Sequence, residues 1–248
     1  MGEPVRAVLF DYGHTIVDFR RTDEALLAAY EEIRARVEAA LYIDAPEVGH
    51  LIDRVAREVD RLVGASYEAG RLEELDLIAT FDEVLSNTLG LTVPADVVRH
   101  VVAIDHSAYS KTITVSPENL ATLRTLRRGE LKLGLVSNVA LLPHLMRADL
   151  EALGILELLD ATAFSSEVGT RKPDARIFRD ALGRLGVDPA AAVFVGDRLL
   201  DDVGGAQGVG MRAVQTREFR QESNAAVRPD AVIERLTEVP DVVARLSS

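Results

Sequence analysis

The chain has 248 residues, 48% of them hydrophobic and 27% charged, with a formal net charge of −12. That length suffices for a full core, either one large domain or a core plus an insertion, and the negative charge argues against nucleic acid or an anionic membrane as the main partner. The absence of cysteine excludes disulfides and thiolate metal sites and fits the cytoplasm, and neither a membrane span nor a secretory leader is expected. The composition fits a monomer or a homodimer equally. Only Lys111, Lys132 and Lys172 among the 28 basic residues are lysines, which makes each of them conspicuous.

The run Val5 to Phe10 is apolar except for Arg6 and reads as a buried strand of a parallel sheet, ending at Asp11. From Thr22 to about Ser107 apolar residues recur every three or four positions, punctuated by Pro46, Gly64, Gly70, Gly90 and Pro94, so this block is all helical. Ser116-Pro117-Glu118 is a helix start. Strands are then predicted at 131–136, 161–164, 191–195, 212–215 and 231–233, with helices at 141–153, 174–185 and 202–208 and a last helix ending at Leu246. Strands alternating with helices imply an α/β fold with a doubly wound parallel sheet. The first strand lacks a nearby partner and must join that later sheet, which makes the helical block an insertion. The domain reading is therefore a core of residues 1–17 and 112–248 and a helical domain of residues 18–111.

Four segments put chemistry at the carboxyl ends of predicted strands, where open α/β sheets bind ligands. Asp11 precedes the Gly-containing loop Tyr12-Gly13-His14-Thr15. Ser137-Asn138 offers a hydroxyl and a backbone N–H to an anionic oxygen, although Ser137 could instead cap the following helix. Lys172 precedes Asp174, a helix cap, and its charge could reach a phosphate or Asp11. Val195-Gly196-Asp197 ends a buried strand, and Asp202 follows five residues later. Carboxylates on one sheet edge suit a hard cation such as Mg²⁺, while Asp202 could also serve only as a helix cap.

The order PheAspTyrGlyHisThr, ValSerAsn, LysProAsp, GlyAspArgLeuLeuAspAspVal and GlyAlaGlnGlyValGlyMet resembles, over essentially the whole chain, a haloacid dehalogenase superfamily hydrolase with a helical cap inserted after the first strand. The resemblance implies a Mg²⁺-dependent phosphatase acting on a small phosphorylated metabolite through an aspartyl-phosphate. By position, Asp11 would be the nucleophile. Ser137, Asn138 and Thr15 would contact the substrate, and Lys172 would offset the charge of Asp11 and phosphate. Asp11, the Gly13 carbonyl, Asp197 and Asp202 would surround the metal.

One position departs from the family pattern. The phosphatases usually carry a second Asp two residues after the nucleophile, as proton donor and then base, where this chain has Gly13. A backbone carbonyl survives that change and a proton donor does not, a part typically worth about 10²–10⁴-fold in rate. His14, adjacent and with a suitable ordinary pKa, is a replacement candidate. Two other readings stay open: a dehalogenase-type hydrolase of the same superfamily, whose members also lack that Asp, and a non-catalytic binding or regulatory protein.

Overall fold

A computed structural model of the chain describes residues 3–247. Six parallel strands, β1 (Ala7–Phe10), β2 (Lys132–Ser137), β3 (Ala161–Phe164), β4 (Ala192–Gly196), β5 (Arg212–Thr216) and β6 (Ala231–Ile233), form one sheet in the order β3-β2-β1-β4-β5-β6. The order reverses at β1, which lies between β2 and β4, so the ligand crevice of such a sheet opens at the end of β1. Val8 and Phe10 join one apolar cluster and Ala7 and Leu9 the other, the alternation of a strand covered on both faces. The expected parallel α/β sheet is therefore present.

Between β1 and β2 the chain runs through helices at Asp23–Leu41, 48–68, Leu77–Leu89 and Ala95–Ser110. Thr22 caps the first of these through the Ala25 N–H, and Leu26, Ala29, Tyr30, Ile33 and Val37 form its buried stripe. The segments leading into and out of the insertion pair with each other, Asp18 and Thr114 exchanging backbone hydrogen bonds of 3.0 and 2.8 Å. No helix of the described residues is long and apolar enough to cross a membrane.

Two boundaries move for physical reasons. The helix expected from residue 141 begins at Pro143, whose ring fits the first helical position, and Leu142 rather than Ser137 stands at its cap. The helix expected from Asp202 begins earlier, with a wide turn over Leu199–Gly204 that places Asp202 inside it rather than at its start.

Candidate active site

Register brings the four sequence segments together. Phe10 lies beside Leu135 of β2 and Val195 of β4, so Asp11, Ser137 and Asp197 leave the sheet at nearly one level. The Asp11 N–H donates to the Val195 carbonyl at 2.9 Å, which fixes the residue at the crevice.

Lys172 is the hub. Its Nζ lies 2.6 Å from Asp11 Oδ1 and 2.6 Å from Asp202 Oδ1, with the lysine side chain 2% exposed. Burial pushes the Asp11 carboxyl up and the Lys172 ammonium pulls it down, while the two carboxylates hold Lys172 protonated against its own burial. The other Asp202 oxygen accepts the Arg198 N–H at 2.9 Å. That carboxylate fills the space beside Gly196, where a Cβ would lie 2.4 Å from it. Asn138 points to the same loop: its Oδ1 accepts the Lys172 N–H at 2.7 Å and its Nδ2 donates to the Lys172 carbonyl at 3.0 Å. The Asn138 side chain thus holds the Lys172 backbone.

Asp197 is nearly fully buried, and its Oδ2 has no hydrogen-bond partner among the described residues. The Arg220 Nε lies 3.0 Å away without hydrogen-bonding geometry. Burial, with Asp11 and Asp202 adding like charge, pushes the Asp197 carboxyl up to about 7. Asp11, Asp197 and Asp202 each place a carboxylate oxygen within 4.8 Å of the others. A buried carboxylate oxygen that accepts no hydrogen bond among the described residues and has only the Arg220 ion pair, within a carboxylate triad, fits a divalent cation.

The loop after Asp11 differs from expectation at one residue. Thr15, expected to contact substrate, is fully buried and lies off the cavity wall. The N–H groups of Ile16 and Val17 donate to the Tyr12 carbonyl, and this tight turn tucks Thr15 beneath the loop. His14 faces the cavity at φ 57°, a left-handed conformation, with its ring stacked 5.0 Å from Phe19 and Nδ1 3.3 Å from Asp18. Burial lowers its pKa, and Arg220 adds to the effect. A Cβ at Gly13 would come within 2.8 Å of the Phe19 ring, so Phe19 occupies the space that a side chain there would need.

The sequence reading missed a contact that reaches from the helical insertion to the Lys172 loop. Arg171 is buried with its Nε 2.9 Å from Glu74 Oε1, its Nη1 3.1 Å from Ser66 Oγ and its guanidinium 3.8 Å over the Tyr67 ring. Leu72 and Glu74 add backbone hydrogen bonds to Arg171 and Gly169. An Arg in an exposed-looking loop carries no sequence signal of burial; Glu74 lies in a stretch without periodicity.

Asp11, His14, Ser137, Lys172, Asp197 and Asp202 line a cavity of about 400 Å³ between sheet edge and helical insertion. A family model for haloacid dehalogenase-like hydrolases matches residues 5–210. A glyceraldehyde 3-phosphate phosphatase of Methanopyrus kandleri is 31% identical over 247 residues, 98% of this chain and 99% of the relative. A 2-haloacid dehalogenase of Pseudomonas syringae superposes with a TM-score of 0.67 at 28% identity, covering 97% of this chain and 99% of the other. A phosphatase of Thermococcus onnurineus gives 0.60 at 26%, covering 96% and 98%. Curated relatives named as phosphatases of small phosphorylated metabolites match nearly end to end. The family match over residues 5–210 and the end-to-end relative at 31% identity show that the chain belongs to the haloacid dehalogenase-like hydrolase family.

Proposed function

We propose that the protein is a cytoplasmic, Mg²⁺-dependent phosphatase of a small phosphorylated metabolite, with residues 18–111 as a cap over the site. The observation that carries this reading is the Asp11–Lys172–Asp202 array beside the buried Asp197 oxygen, which accepts no hydrogen bond among the described residues. Asp11, the Gly13 carbonyl and Asp197 would hold the cation, with Asp202 in support; a bound Mg²⁺ supplies charge neutralisation for two anions that must meet.

Asp11 attacks phosphorus, a P–O bond forms to its carboxylate, and the bond to the leaving oxygen breaks. Water then hydrolyses the aspartyl-phosphate, releasing phosphate and restoring Asp11. Lys172 offsets the charge of nucleophile and phosphoryl group, and Ser137 with the Asn138 backbone receives phosphoryl oxygens. Asp202 holds Lys172 in place as much as it serves the cation, because both its oxygens already accept donors. His14 is the acid–base group this loop offers in place of the missing Asp; Asp18 engages Nδ1, and Nε2 gives up a proton only from the protonated ring, which burial disfavours and the Asp18 carboxylate favours.

A second reading, metal-independent dehalogenation of a 2-haloacid, draws on the likeness to the Pseudomonas syringae enzyme and on Gly13. One assay separates the two. Phosphate release from p-nitrophenyl phosphate and glyceraldehyde 3-phosphate should require Mg²⁺ and vanish with EDTA or with Asp11→Asn. Halide release from 2-chloropropionate that persists in EDTA, with no phosphate release, would establish the second reading instead.

A further inference from the structure

The cavity is charged unevenly. Its cations Lys172, Arg198 and Arg220 all come from loops at the sheet edge. The helical insertion lines it with apolar side chains, Asp60, Asp105 and His106, and contributes no Lys or Arg to the wall among the described residues. Arg21, behind this wall, pairs with Asp60 through Nη2 and lies over the face of Tyr109, 4.7 Å from its centroid, while its Nη1 is buried without a hydrogen bond among the described residues. His106 is engaged by Asp149, Nε2 to Oδ2 at 2.7 Å.

A second observation points to an occupant. Tyr12, 5% exposed, lines the cavity, and its hydroxyl is buried without a hydrogen-bond partner among the described residues. The Asp105 Oδ1, on the insertion side, forms no hydrogen bond of good geometry among them either, although the Tyr30 hydroxyl and the Arg21 guanidinium face the same carboxylate from behind the wall. A buried polar atom left unpaired loses its hydration without return, so such positions are matched to water or a ligand. A hydroxyl or amino group brings a donor to Asp105, and a hydroxyl oxygen also accepts from the Tyr12 O–H. A second carboxylate or phosphate brings only acceptors to a wall that already carries carboxylates, and it loses hydration there.

Resting on the phosphatase reading above, we propose that the wall formed by Tyr12, Asp105 and the His106–Asp149 pair is the leaving-group subsite, and that it takes a leaving group with hydroxyl or amino donors and no second anion. Phosphoesters of small polyols, hydroxyaldehydes and amino alcohols fit; phosphorylated hydroxy acids and bisphosphates do not. Specificity arises as much from the repelled anion as from the accepted hydroxyl.

The test compares kcat/KM for glyceraldehyde 3-phosphate and 3-phosphoglycerate, which share a carbon skeleton and differ by aldehyde against carboxylate, with O-phosphoethanolamine and p-nitrophenyl phosphate alongside. Glyceraldehyde 3-phosphate should exceed 3-phosphoglycerate by about tenfold or more, the scale on which polar pocket groups discriminate. Asp105→Asn should narrow that ratio by raising use of the carboxylate. Tyr12→Phe, which removes the hydroxyl alone, should lower use of glyceraldehyde 3-phosphate more than of p-nitrophenyl phosphate. Equal use of the matched pair, or a ratio that neither variant moves, would overturn the subsite while p-nitrophenyl phosphate turnover leaves the phosphatase reading standing. No phosphate release from any of the four would overturn that reading and the subsite with it.

Discussion

Two glycines show how little room the site leaves. At Gly196 a methyl group would overlap the Asp202 carboxylate, which holds Lys172 and the Arg198 N–H. Gly196→Ala should therefore displace Asp202 and lower kcat at least as much as Asp202→Asn, with circular dichroism showing the sheet intact; activity close to that of the parent would contradict this packing. Gly13 differs, because the obstacle there is the Phe19 ring, stacked on His14 and edge-on to Tyr109. Gly13→Asp alone should gain little activity. Gly13→Asp combined with Phe19→Ala should raise kcat on p-nitrophenyl phosphate by about tenfold, within the range of general acid catalysis. A gain from the single variant equal to that of the double would show that Phe19 is no barrier. Asp11 and Asp197 were legible because strand-ending motifs announce them, and Lys172 because lysine is rare in this chain and this one sits just before the Asp174 cap. Thr15 was not, because only the turn at Tyr12 decides which way it faces.

At the scale of elements, the segment 70–76 joins the helical insertion to the Lys172 loop. Glu73 and Thr170 pair as a short antiparallel bridge, and the Arg171–Glu74 ion pair is buried beneath it, both side chains at 2% exposure or less. Removing one partner of such a pair strands the other, at about 3–5 kcal/mol, whereas replacing both with apolar groups of similar size costs far less. Glu74→Gln should lower Tm and kcat together. The double variant Arg171→Met/Glu74→Leu should recover Tm but keep a reduced kcat, because the charge that holds the residue preceding Lys172 is gone. Recovery of both would assign the pair to stability alone. Element type and order were readable from periodicity and punctuation. This strap was not, since its partners lie 97 residues apart and neither has a local pattern.

For the whole molecule, the buried Asp105 of the insertion puts a pH dependence into stability. Burial pushes the Asp105 carboxyl up to about 6, above its value in an unfolded chain. The folded state therefore binds this proton more tightly than the unfolded state does. Its contribution is favourable below about pH 4 and is lost as pH rises to about 6, the reverse of a salt-bridged carboxylate. Asp105→Asn should raise stability at pH 7.5 by on the order of 2 kcal/mol, a Tm gain of about 4–8 °C for a chain of this size, and by little at pH 4. An equal gain at both pH values, followed by thermal melting, would trace the effect to packing instead. A group tuned for binding at the expense of stability is what a substrate-facing acid would be.

The central claim is that Asp11 carries the phosphoryl group. Rapid acid quench during turnover of acetyl phosphate with Mg²⁺, followed by peptide mass spectrometry, tests it most directly. The account predicts a phosphorylated peptide containing Asp11, labile to hydroxylamine, and absent after EDTA or in Asp11→Asn. Sustained phosphate release by Asp11→Asn, or turnover that never labels this peptide, would contradict it.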